Sequence, residues 1–196
     1  MPLRVPSVSL VPMLSHVRST LLSASLLAMN ERGLGDAYFK HLPASLHDTM
    51  RTLVAGSWIP VDVAGAHYEA VDALGLTAQE AVAIGGEVGD RVQASLLGVV
   101  FRVAKGSGVS PWTAAEMYPR LWERMFQGGD SRVVKLGPKE ARFDNLGVPL
   151  CRYDYFRHAW RGMAIAALSL FSRKVFVNEV QASRTSTSFA FKASWV

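Results

Sequence analysis

The chain predicts an α+β fold, with an N-terminal helical layer packed on a roughly four-stranded antiparallel sheet. Two observations carry this. Up to about Gly129, apolar side chains recur at three- and four-residue spacing, the helical period. Beyond it, short alternating segments flank one long helical stretch in the order β-β-α-β-β. Helices followed by strands in this way segregate to one face of an antiparallel sheet.

Residues 1–12, with the stretch SVSLV, read as an extended arm. Leu14, Val17, Leu21, Leu22 and Leu26 place a helix over 14–30, ended between Asn30 and Gly35. Asp36 caps a short helix that stops before Pro43, and another helix runs from Pro43 to Val54. Ser57-Trp58-Ile59-Pro60 leads into a helix through Leu74, because the fixed φ of Pro60 suits a first turn. Val63, His67, Tyr68, Val71 and Leu74 share its apolar side.

Thr77-Ala78-Gln79-Glu80 has the spacing of a capping box. The helix it opens continues through Val82, Ile84, Val88, Val92, Leu96, Val99 and Val103 to about Lys105, where Gly106-Ser107-Gly108 ends it. Gly85, Gly86 and Gly89 lie inside this helix. Each costs ~1 kcal/mol against Ala there, so they imply close helix packing or a bend. Ser110 and Pro111 start the next piece, and Pro119, which lacks an amide donor, makes it kinked or two short helices. Tyr118, Leu121, Trp122 and Met125 form a core-facing stripe on it, while Trp112 falls off that stripe.

SRVVKL and EARFDNL read as strands joined at Gly137-Pro138. A long helix covers Arg152–Phe171, with Tyr153, Phe156, Trp160, Met163, Ala167 and Leu168 on one side. KVFVNEV and SFAFKASWV form a second hairpin across QASRTST, with period-two alternation at Phe189, Phe191, Ala193 and Trp195. With no linker or repeat to divide it, residues 1–196 read as one α+β domain: a helical part at 13–129 and a β-β-α-β-β part at 130–196.

Composition bounds the function. The chain is 49% hydrophobic and 19% charged, and its mean hydropathy is +0.16. That supports a full core and an apolar cavity or partner face. No apolar run reaches the ~20 residues of a spanning helix. The segment around Leu21–Met29 loosely resembles a signal peptide, but the prolines and alternation before it argue against one. Cys151 is the single cysteine, so no intrachain disulfide forms and a cytoplasmic setting is expected. Charge is uneven: residues 1–100 hold six Lys/Arg and nine Asp/Glu, whereas residues 101–196 hold fifteen and seven.

Motifs for chemistry are missing. The five histidines, His16, His41, His47, His67 and His158, show no ligand spacing, and there is no HExxH or CxxC, so no metal is expected. No GxSxG elbow or phosphate loop occurs, and Cys151 reads as a buried, inert thiol. Asp62, Glu69 and Asp72 read as a solvated acidic face. Arg132, Lys135, Lys139, Arg142, Arg157 and Arg161 form a candidate basic face, but no recognition helix or stacking motif accompanies it, which argues against nucleic acid.

A resemblance adds to this. Gly33 to Leu42-Pro43, Trp58-Ile59-Pro60, Pro119-Arg120-Leu121-Trp122 with Gly128, Gly147-Val148-Pro149 and the terminal Ser194-Trp195 occur in an order that resembles a myxobacterial paralogous family of uncharacterised proteins. That family is similar in fold to the 4-vinyl reductase, haem-NO-binding and TRAPP-subunit group, whose domains set helices around a small antiparallel sheet with an apolar cavity. The resemblance implies a ligand-binding or protein-docking module. Related domains often carry a cysteine in each strand of the last hairpin, whereas QASRTSTSFAF has none. Haem-binding members use a helical axial histidine and a Tyr-x-Ser-x-Arg motif; neither is recognisable here, so the sequence argues against haem and for no cofactor.

The expectation is a non-catalytic regulatory or scaffold module that binds a small apolar ligand or a protein partner, with a homodimer as one form of the latter. Its candidate ligand or interface residues are Trp58, Tyr68, Trp112, Trp122 and Trp160. The alternative is a binder of acidic partners (nucleic acid, anionic lipid or acidic protein) through the basic C-terminal half.

Overall fold

The computed structural model describes residues 11–93 and 110–196. Most of the expected N-terminal arm lies outside the described residues, as do Leu96, Val99, Val103 and the Gly106–Gly108 stop. The elements are β1 (His16–Arg18), α1 (Ser19–Glu31), α2 (Gly35–His41), α3 (His47–Arg51), β2 (Trp58–Pro60), α4 (Val61–Asp72) and α5 (Ala78–Val92). They continue as α6 (Pro111–Glu116), α7 (Tyr118–Met125), β3 (Phe126–Gln127), β4 (Asp130–Gly137), β5 (Glu140–Leu146), α8 (Asp154–Ser169), β6 (Val175–Glu179) and β7 (Ser188–Trp195). The architecture is α+β, and the C-terminal order is the expected β-β-α-β-β.

The four-stranded sheet has the order β4-β5-β7-β6, antiparallel throughout. Its central pair runs from Glu140 opposite Ser194 to Leu146 opposite Ser188. Alternation does what it predicts: Ala141, Phe143, Asn145, Phe189, Phe191, Ala193 and Trp195 are all buried. The expected Pro119 break is also real, since α6 and α7 are two short helices. At Thr77 the capping box forms, with Glu80 N–H donating to Thr77 Oγ1 (3.2 Å) and Thr77 N–H to Glu80 Oε2 (2.8 Å).

Three local expectations change. The first helix does not start at residue 14; His16–Arg18 is a strand in a small sheet of order β2-β1-β3. Val17, Ile59 and Phe126 are buried together there, and a three-residue strand is too short to show its period beside a helix. Pro60 stands just before α4 as its N-cap, at the end of β2. The Pro43–Val54 helix is a 3₁₀ turn, Ala44–Leu46, followed by α3.

α5 and α8 form the central helix pair. A methyl group at Gly85 would fall within the backbone of Ala159, and one at Gly162 within the carbonyl of Val82. At Gly89 it would lie 3.0 Å from Met163 Cα. The two backbones therefore touch, which only glycine at these positions allows. The other face of α8 meets the sheet, with Phe156 edge-to-face on Phe189 at 5.7 Å.

The N-terminus of α8 is held from α4. Asp72 Oδ1 accepts from Tyr155 N–H (2.7 Å) and Oδ2 from Asp154 N–H (3.0 Å). Asp72 is thus not part of a solvated acidic face. It satisfies two of the amide donors that a helix leaves open.

The glycines give a sharp contrast to measure. Gly85→Ala should lose about 1–3 kcal/mol or more, because the added carbon cannot fit against Ala159. At Gly86 nothing lies within 4 Å of the added carbon, so Gly86→Ala should gain about 0.5–1 kcal/mol from helix propensity. Urea denaturation of both variants checks the opposite signs.

Candidate functional site

Where α5, α6, α7 and α8 meet β5 and β7, the packing leaves an apolar cavity of about 70 Å³. Gly89, Val92 and Gln93 bound it from α5 and its C-terminal end, and Ala114 and Ala115 from α6. Tyr118, Leu121, Arg124 and Met125 come from α7, Trp160, Met163, Ala164, Ala167 and Leu168 from α8, and Phe143 and Phe191 from the sheet. The space exists because small residues face one another: Gly89 and the four alanines leave volume that the aromatics beside them do not fill.

One wall is fixed by hydrogen bonds. Tyr118 Oη donates to Asn145 Oδ1 (2.6 Å) and accepts from Trp160 Nε1 (2.8 Å). Burial pushes the Tyr118 phenol well above its ordinary range, so it stays neutral. Gln93 differs. Its Nε2 is buried and has no hydrogen-bond acceptor among the described residues, and Gln93 is part of the cavity lining. Arg124 is exposed and adds a cation to the lining.

A second buried polar group joins α1, α2, α4 and α8. His67 Nδ1 is hydrogen-bonded to Tyr38 Oη (3.0 Å) and Nε2 to Ser25 Oγ (3.2 Å), and Ser25 Oγ meets Tyr155 Oη at 2.7 Å. His67 is fully buried, and desolvation holds its pKa down at about 3. Burial raises the Tyr155 phenol to about 12. His67 is a neutral core histidine with both ring nitrogens satisfied. Among the described residues, no group of three His, Cys, Asp or Glu side chains is placed to hold a metal ion.

The five aromatic candidates separate. Trp160 lines the cavity. Trp122 is buried behind it, 5.6 Å away ring to ring, and packs on Phe126 at 4.3 Å. Tyr68 is buried beside His67, Tyr153 and Phe156. Trp58 is covered by the Arg18 guanidinium, 3.8 Å above its ring. Trp112 clamps the first hairpin: its Nε1 donates to Pro138 O at 2.7 Å, and its ring meets Trp195 edge-on at 5.1 Å. Only one of the five therefore faces the cavity.

The six basic residues do not form one face. Arg157 is buried at 5% exposure; it donates to Cys151 O (2.6 Å) and is paired with Asp154 and Glu179. Arg132 and Arg142 are paired with Asp130 and Asp144, and Lys135 sits over Trp112. Lys139 lies at the hairpin turn and Arg161 on α8. Cys151 is buried against Thr185 O, and burial pushes its thiol up, away from reactivity.

No family model matches the chain, and no curated protein matches it at a significant level. Solved structures do. The fold is similar to an oxygen-binding H-NOX domain related to soluble guanylate cyclases, in its oxygen complex (TM-score 0.60, 11% identity, 91% of this chain and 94% of that one). It is similar to an unliganded Fe(II) H-NOX mutant from K. algicida (TM-score 0.66, 9% identity, 91% and 96%). A third similar chain is one whose haem redox potential is modulated by porphyrin distortion (TM-score 0.59, 11% identity, 91% and 99%). At these identities the likeness is one of fold, and it falls in the haem-NO-binding branch of the expected group.

This corrects the expectation against haem. That expectation rested on a missing motif, whereas the solved chains that share this fold include haem proteins. Toward a porphyrin, the lining offers apolar walls and the Arg124 cation. None of its described residues is a histidine; the described lining side chains of a type that ligates haem iron are Met125, Met163 and Tyr118, and the Tyr118 hydroxyl is already held by Asn145 and Trp160.

His67 sets a pH dependence. Its folded pKa, about 3, lies below the ordinary 6.5. Between these values the unfolded chain binds a proton that the folded chain does not, so this contribution to stability is complete above pH 6.5 and declines as pH falls toward 3. His67→Gln should remove up to about 1.4 kcal/mol per pH unit of that decline. Urea midpoints of both proteins at pH 7, 6 and 5 check it; parallel curves would refute the assignment.

Proposed function

We propose that the chain is a non-catalytic regulatory module that takes a small ligand into the apolar cavity between α5, α6, α7, α8 and the sheet. The cavity itself carries this reading. It is lined by the helical part and the β-β-α-β-β part together, which we treat as one unit of residues 1–196. Ligand sites of this kind are concave, mostly apolar and supplied with a few polar groups. The neighbouring chains support the ligand class, being oxygen-binding and haem-containing domains. At about 70 Å³ the cavity suits a diatomic or similarly small apolar molecule as it stands. It is below the ~300–1,000 Å³ of drug-sized sites, so haem enters only with displacement of the lining. The finer resemblance, to the myxobacterial family, rests on the ordered sequence motifs alone.

The protein-partner half of the reading has its own support. Val134 and Leu136 on outer strand β4 are 45% and 46% exposed, and Phe176 on the opposite outer strand β6 is 44% exposed. Exposed apolar residues on open strands favour docking against another chain, and we read that chain as a second copy, in a cytoplasmic signalling role. Among the described residues no helix is long and apolar enough to cross a membrane.

Native mass spectrometry of the purified chain, with its visible absorption, tests the ligand. A retained mass with a Soret band identifies haem, and a retained mass without one identifies another ligand. For an empty chain, xenon binding followed by NMR is the probe, since apolar cavities take up xenon. Ala164→Phe, which fills the cavity from α8, should abolish uptake. No retained mass and no xenon uptake by the wild type would end the proposal.

A further inference from the structure

A second opening lies on the other side of Phe191. It is a cleft of about 240 Å³ between α8, β6, β7 and the 3₁₀ turn Gln181–Ser183, lined by Arg157, His158, Arg161, Asn178, Glu179 and Gln181. Phe189 and Phe191 form its apolar floor. Nothing in the apolar cavity requires this polar set.

The charges in the cleft are unequally matched. Arg157 is paired: its guanidinium donates to Asp154, Cys151 O and Tyr153 O, and its buried Nε lies 3.3 Å from Glu179 Oε1 as an ion pair without a formed hydrogen bond. Arg161, one turn further along α8, is not. Among the described residues it has no hydrogen-bond or ion-pair partner, and its Nε is buried. Glu179 does not compensate it, because its Oε1 faces Arg157 and its Oε2 accepts from Gln181 Nε2 (3.4 Å). Burial first, and the Arg157 cation second, hold His158 below its ordinary range, so near neutral pH the imidazole brings ring nitrogens and no charge. A guanidinium carries its donors in a planar fork that matches carboxylate and phosphate oxygens. Buried donors of this kind are ordinarily paired.

We infer that this cleft is a binding site for a small organic anion, a carboxylate or phosphate ester. Arg161 is the anion's principal partner, Asn178 and Gln181 supply amide donors, and Phe189 and Phe191 pack against its carbon skeleton. At about 240 Å³ the cleft exceeds what a single inorganic ion would fill.

Calorimetric titration of the full chain at constant ionic strength tests this, with benzoate, phenyl phosphate and inorganic phosphate as probes. The expected result is saturable binding of at least one aromatic anion, more tightly than inorganic phosphate. The preferred anion distinguishes a carboxylate ligand from a phosphate ester. Arg161→Gln should weaken that binding by about tenfold or more. Arg132→Gln, outside the cleft, should leave it unchanged. If Arg161→Gln does not fold, by circular dichroism, Gln181→Leu on the 3₁₀ turn takes its place and should weaken binding several-fold. Equal weakening by Arg132→Gln, an unaffected cleft variant, or no saturable binding of either aromatic anion would overturn the inference. So would tighter binding of inorganic phosphate, which would leave the apolar floor without a role.

Discussion

The contact between the α5 and α8 backbones is the constraint on which the rest depends. Gly85 against Ala159, and Gly162 against Val82, bring two helices closer than any side chain would allow. Such proximity gives up the side-chain burial that larger residues would contribute at the crossing, so stability must come from its flanks. It does so on one side through aromatics, with Phe156 and Trp160 stacked at 6.0 Å and Trp160 against Trp122 and Phe126. On the other side Asp72 holds the α8 N-terminus. Gly89 and Met163 belong both to the crossing and to the cavity wall. The cavity therefore begins where the close contact ends, and its position follows from where the glycines stop.

Much of this frame was legible in the residues. Period-two alternation at Phe189, Phe191, Ala193 and Trp195 identified the inner face of the sheet. The capping box at Thr77 located the start of α5, and the glycines after it announced close packing. The small sheet was not legible, because Val17 fits a helical spacing with Leu14 and Leu21 as well as it fits a strand. Its pairing with Ile59 and Phe126 depends on partners 42 and 109 residues away, which no local period reports.

The candidate site was harder to read for a related reason. Large aromatics drew attention, yet four of the five chosen have structural partners: Trp58 an arginine, Tyr68 a histidine, Trp112 a hairpin carbonyl, Trp122 other rings. The cavity is marked by small residues, Gly89, Ala114, Ala115, Ala164 and Ala167, and a missing side chain leaves a weaker signal than a present one. The basic residues also occupy different settings. Arg157 carries the same charge as Arg132 in the sequence, but one is buried in a network and the other paired at the surface. Only the fold distinguishes them.

The buried polar groups divide accordingly. His67, Tyr38, Ser25 and Tyr155 bond among themselves, and Tyr118 uses its hydroxyl as both donor and acceptor. These groups stiffen the core, although Asn145, which accepts from Tyr118, keeps a buried Nδ2 without a partner among the described residues. Gln93 and Arg161 keep unused nitrogens, and each borders an opening. Phe191 lines both openings and is stacked on Phe143 at 4.7 Å.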